Sequence, residues 1–138
     1  FTRHQRRASA LRSHSGTSER PALSSHAMTA AAEPTDPTPT VAVLGTLRFP
    51  PDRVPEVLPH LQRLVANTYE KDGCIAYDVA IDPFDPGLIR FSELWPDQAS
   101  LERHLVAPHI APWRAAARAC GLMARSFTAF EVSSARPV

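Results

Sequence analysis

The sequence predicts an α+β fold of the split β-α-β, ferredoxin-like kind, with element order β-α-β-β-α-β and an antiparallel four-stranded sheet covered by helices on one face. Three observations predict it. Four short segments alternate their apolar residues at period two, two longer regions repeat them at three and four, and Pro, Gly and Asp clusters separate them in that order. A chain of 138 residues has room for one such core and not for two.

The first strand is expected over Val41–Phe49, with Val41, Val43, Leu47 and Phe49 on one side and Ala42, Leu44, Thr46 and Arg48 on the other. Pro50 and Pro51 end it. Asp52 is the expected cap of a helix whose Val54, Val57, Leu58, Leu61, Leu64, Val65 and Thr68 form one apolar stripe. Pro59 lies inside that helix and is expected to kink it. Gly73 in Lys71-Asp72-Gly73 supplies a left-handed stop.

Cys74–Asp82 alternates again, with Ile75, Tyr77, Val79 and Ile81 on the apolar side. The turn formers of Asp82-Pro83-Phe84-Asp85-Pro86-Gly87 join it to a strand over Leu88–Trp95 as an antiparallel hairpin. Asp97 is the expected cap of a short helix to about Leu105, and Pro108 restarts a second one to about Cys120, ahead of Gly121. Met123–Val132 alternates as the last strand. Both parities of the first, third and fourth strands carry bulky apolar residues, so the sheet face without helices is expected to pack on a second copy. The result would be a homodimeric α+β barrel.

The domain is therefore placed at residues 41–132, with a tail at 133–138 and a longer one at 1–40. Residues 1–27 hold Arg3, Arg6, Arg7, Arg12 and Arg20 against Glu19 alone and show no helical period, which reads as disorder. Their Arg, Ser and Ala richness is similar to that of a transit peptide. Met28 is nevertheless the first residue able to initiate translation, so residues 1–27 are expected to be vector-derived or upstream-translated.

Because the whole chain has a net charge of +1, the remainder is mildly acidic, which argues against a nucleic-acid partner. No run approaches the roughly 20 apolar residues of a spanning helix, so no membrane partner is expected. Cys74 and Cys120 form no closely spaced pair and are expected to be reduced in a cytoplasmic protein.

Chemistry concentrates in Glu93 to His109, where a strand ending Glu93-Leu94-Trp95 leads into two helices that carry His104 and His109. Each residue also has a plain structural role. Trp95 can plug the core, Tyr77 can pack as a strand tyrosine, and either histidine can sit at a helix end in contact with water. Glu93 on an apolar strand face needs a partner, which Arg114, Arg118 or a histidine could supply.

Asp72-Gly73-Cys74-Ile75-Ala76-Tyr77-Asp78-Val79, Asp82-Pro83, Phe91-Ser92-Glu93-Leu94-Trp95, Asp97 with Ala99, and His104 with Pro108-His109 together resemble the antibiotic biosynthesis monooxygenase family. The resemblance spans roughly Val41 to Val132. Ser92 departs from it, since the family usually has Tyr before the Glu. The resemblance implies a dimeric α+β barrel that oxygenates a quinol or aromatic polyol with O2, using no flavin, metal or heme and drawing electrons from the substrate.

Such chemistry needs a base. His109, at a helix start where the dipole disfavours imidazolium, is the expected base, and His104, near a helix end where the dipole favours it, the expected acid. Glu93 would orient one of them, while Trp95 and Tyr77 would line the substrate cavity. A metal triad of Glu93, His104 and His109 is disfavoured because no tight His-x-x-x-His spacing is present. Heme is disfavoured because Thr46 and Arg114 stand where heme-degrading relatives have an Asn and an axial His. Two rival functions are an isomerase of a small carbonyl compound, which would consume no O2, and a non-catalytic dimer that binds a small aromatic without turnover.

Overall fold

The computed structural model describes residues 38–138, so the expectations for residues 1–37, including the start at Met28, lie outside the described residues. Four strands and three helices follow in the order β1 Val41–Arg48, α1 Val54–Lys71, β2 Ala76–Ile81, β3 Leu88–Trp95, α2 Gln98–Leu105, α3 Ile110–Ala119 and β4 Ala124–Glu131. Each observed element lies inside its expected range. The sheet order is β2-β3-β1-β4 and every pairing is antiparallel. This is the ferredoxin-like α+β fold.

The register decides what each face carries. Val43 opposes Glu93 and Ala129, Gly45 opposes Phe91 and Phe127, and Leu47 opposes Ile89 and Arg125, so these side chains share the helix-covered face. Val57, Ile89 and Trp95 are completely enclosed there, each contributing roughly 1.5–3 kcal/mol by leaving water. The other face keeps Leu44 at 56% and Phe130 at 49% exposure. It is the bare apolar face the alternation predicts.

Local sequence explains the ends. Asp97 accepts a hydrogen bond from the Ser100 N–H at 2.7 Å, the expected cap of α2. Gly73 and Gly121 adopt φ of +71° and +86°, the left-handed stops after α1 and α3. One expectation fails. Asp52 does not cap α1, because Pro51–Arg53 forms a 3-10 turn and Arg53 becomes the helix boundary with no side-chain cap. Two consecutive prolines set that turn before Asp52 can act. Pro59 is accommodated without interrupting α1.

In the β2–β3 turn, Asp82 accepts from the Phe84 N–H and from Arg90, and Arg48 grips Asp85 with two hydrogen bonds. These exposed pairs fix the turn more than they stabilise the fold. Among the described residues no helix is long and apolar enough to cross a membrane.

Candidate active site

The end of α1 is electrostatically unusual. Asp72 is its C-terminal boundary residue, where the helix dipole already places partial negative charge, and its side chain is only 7% exposed. Both circumstances disfavour a lone carboxylate. Two imidazoles answer it: His104 Nδ1 lies 2.7 Å and His109 Nε2 2.9 Å from the same oxygen, Asp72 Oδ2. The His104 contact has hydrogen-bond geometry, whereas His109 Nε2 is enclosed and finds no well-aligned partner.

His104 sits in the last turn of α2 and its ring is 5% exposed. Burial pushes its pKa below the ordinary histidine value, opposed by the Asp72 carboxylate and reinforced by His109 and Arg114. Burial thus opposes the dipole expectation of a protonated His104, since it disfavours imidazolium. A neutral His104 facing a carboxylate through Nδ1 carries its proton there, which leaves Nε2 as an acceptor.

A second group lies beside it on the sheet. Trp95 Nε1 donates to Glu93 Oε2 at 2.9 Å, and Tyr77 stands directly across from Glu93 in the β2–β3 ladder. Burial raises the Glu93 carboxyl above its ordinary value, with hydrogen bonding from Trp95 and then Tyr77 pulling the other way. Burial, with Glu93 adding to it, also drives the Tyr77 phenol strongly upward, so it stays a donor. The Tyr77 and Trp95 rings pack on the His104 ring at 5.4 and 4.9 Å between centroids and hold its plane.

Between the sheet and the pair α2–α3 lies a cavity of about 360 Å3. Tyr77, Phe91, Trp113 and Phe127 give it aromatic walls, and Glu93 and His104 bring acid–base groups to its surface. Its size suits a small aromatic molecule. Gly45 shapes one wall, since a Cβ at that position would overlap the Phe127 ring, which lies 5.2 Å from Phe91.

Of the five residues expected at the site, the structure brings Glu93, His104 and Tyr77 to the cavity and leaves Trp95 and His109 outside its lining. Trp95 is fully buried and acts on the site through Glu93 and His104, a consequence of its place at the inner end of β3. Glu93 does not supply the histidines' carboxylate; it is occupied by the Trp95 indole two residues along the same strand face. That carboxylate is Asp72, which the sequence places in a helix stop and in the family-like run Asp72–Val79 without assigning it a role. A signal was available: an acid at a helix C-terminus opposes the dipole and needs a cationic or donor partner.

The three donor atoms of Asp72, His104 and His109 lie within 4.8 Å of one another, close enough to hold one divalent ion. This differs from the Glu93 triad considered above. His104, in the last turn of α2, and His109, just before α3, converge because Val106–His109 turns the chain between the two helices.

An antiparallel sheet backed by helices over an acid–base cavity defines a small α+β ligand-binding or catalytic domain. The sequence profile of the antibiotic biosynthesis monooxygenase family matches residues 40–116, and the chain belongs to that family. It is similar to the crystal structure of an antibiotic biosynthesis monooxygenase at 27% identity and a TM-score of 0.63, covering 68% of this chain and 99% of that one. A candidate antibiotic biosynthesis monooxygenase from Deinococcus radiodurans aligns at 24% identity with a TM-score of 0.67, covering 71% of this chain and 97% of that one. A conserved protein from Methanosarcina mazei aligns at 21% identity and a TM-score of 0.63, covering 70% and 95%. These last two similarities establish the fold alone. No curated protein matches the sequence.

Proposed function

We propose that the protein is a cofactor-independent monooxygenase that oxidises a quinol or polyphenolic molecule with O2, working as a homodimer through its bare sheet face. The observation that carries this reading is the Asp72–His104 pair, which presents an oriented neutral imidazole to an aromatic-walled cavity. Family membership supports the reaction class.

In this reading His104 Nε2 removes a phenolic proton, and the Asp72 carboxylate stabilises the imidazolium that results. The phenolate is a far better electron donor to O2 than the neutral phenol. One-electron transfer followed by recombination forms a carbon–oxygen bond to a peroxide. Imidazolium returns its proton to the distal oxygen; the hydrogen on the oxygenated carbon then leaves as a proton while the O–O bond breaks, and that proton combines with the departing hydroxide as water. For 1,4-dihydroxynaphthalene the balance is one quinol plus one O2 giving one hydroxynaphthoquinone plus one water, with the substrate supplying the electrons. Tyr77, held protonated beside Glu93, forms part of the cavity wall.

The dimer reading rests on Leu44 and Phe130, half-exposed on the face away from the helices, where a second sheet would cover them. Oxygen consumption tests the activity: an isomerase using the same groups would turn over without O2, and a binding protein would saturate without turnover.

A further inference from the structure

Three arginines, all exposed, line the same cavity. Arg114 and Arg118 stand four residues apart on α3, on the face that also presents Ile110 and Ala117 to the cavity. Arg125 comes from β4 on the opposite wall, on the helix-facing side of the sheet beside Leu47. Among the described residues, none of the three lies within salt-bridge distance of a carboxylate. Two of them are held in place: Arg114 donates to the Leu105 carbonyl at 3.2 Å, and the Arg125 guanidinium lies 4.6 Å from the Phe127 ring centroid.

Glu93, the one acid on the cavity surface, is engaged by the Trp95 indole. The cavity therefore combines apolar aromatic depth with three cations outside salt-bridge reach of any carboxylate among the described residues, Glu93 acting on Arg125 only at longer range. A neutral quinol would use the first property and leave the second without a role. Guanidinium groups match a planar carboxylate with paired N–H donors, and cations facing a low-dielectric cavity draw an anion toward it.

We infer that the substrate carries a carboxylate, bound by Arg114, Arg118 and Arg125, with its quinol ring seated between Tyr77, Phe91 and Phe127. This deepens the proposed function and rests on it for the identity of the ring, but not for the acid group. The same cations favour the phenolate formed at His104, so binding and deprotonation share one field.

The test is anaerobic titration of the intact protein with 1,4-dihydroxy-2-naphthoate and with its methyl ester, followed by tryptophan fluorescence, since Trp113 lines the cavity. The acid should bind at least about tenfold more tightly than the ester at low salt, and the preference should shrink as ionic strength rises. Arg118→Gln and Arg125→Gln, both surface-exposed changes, should each remove most of that preference and leave ester binding alone. Equal affinities in the unaltered protein, no binding of the acid, or variants that weaken both ligands alike would overturn the inference. Because no O2 is present, a carboxylate preference followed by no oxygen uptake in air would sink the monooxygenase reading while leaving the anion subsite standing.

Discussion

Asp72 Oδ2 stands 2.7 Å from His104 Nδ1, joining the C-terminal boundary of α1 to the last turn of α2. A carboxylate can only accept, so the contact assigns the proton to Nδ1 and leaves Nε2 an acceptor, the base of the proposed reaction. Asp72→Asn keeps the size of the side chain but loses its charge, so it should fold and lose activity by about 100-fold or more. Its pH–rate profile should also change. Asp72 raises the His104 pKa, so in the variant the acid limb moves to lower pH, a displacement that a purely structural role would not produce.

Stability should depend on pH through the same residue. Burial holds folded His104 below the ordinary value near 6.5, so the unfolded chain binds the extra proton first. The contribution of neutral His104 is fully present above that value and is lost as pH falls through the window below it. Urea unfolding at pH 7.5 and 5.5 should show lower stability at the acid value, and the difference should narrow in His104→Gln.

Gly45 and Phe127 are directly opposed in the β1–β4 ladder, and the ring occupies the space a Cβ would need. Gly45→Ala should therefore destabilise the fold by roughly 1–3 kcal/mol, measured by chemical unfolding, and weaken ligand binding by moving a cavity wall.

On the opposite sheet face, Leu44→Asp should convert the expected dimer to a monomer in sedimentation velocity experiments while circular dichroism stays unchanged. A charge there would have to be desolvated between two sheets. If Leu44→Asp sediments as the unaltered protein does, the sheet face is not the interface.

The fold was legible because alternation and helical spacing depend on neighbouring residues, and Gly73, Gly121 and Asp97 act within one turn of chain. Asp52 misled because adjacent prolines created a turn the capping rule does not anticipate. The site was legible only as a set of reactive residues. His104, Glu93 and Tyr77 reach the cavity, but which acid meets which imidazole depends on the bend between α2 and α3 and on where α1 ends. Asp72 is 32 positions from His104, and no local pattern connects them. The burial of His104 by Trp95 and Tyr77, which opposes the dipole argument, is likewise set by tertiary packing and not by local sequence.

Metal dependence separates two uses of one cluster. Asp72, His104 and His109 are close enough to hold an ion, yet base chemistry needs His104 Nε2 free and Nδ1 protonated. Activity should therefore survive exhaustive chelation and should not rise on adding Fe2+, Mn2+ or Zn2+. Loss on chelation with recovery on one metal would move the assignment to a 2-His-1-carboxylate centre.

The most direct measurement is O2 consumption by chelator-treated protein with 1,4-dihydroxynaphthalene, comparing the unaltered chain with His104→Ala. Oxygen uptake matched one-to-one by hydroxynaphthoquinone, falling by at least about 100-fold in His104→Ala, is the predicted result. Uptake that is unchanged in His104→Ala, or no uptake above the uncatalysed rate by the unaltered protein with this quinol or its 2-carboxylate, would contradict the account.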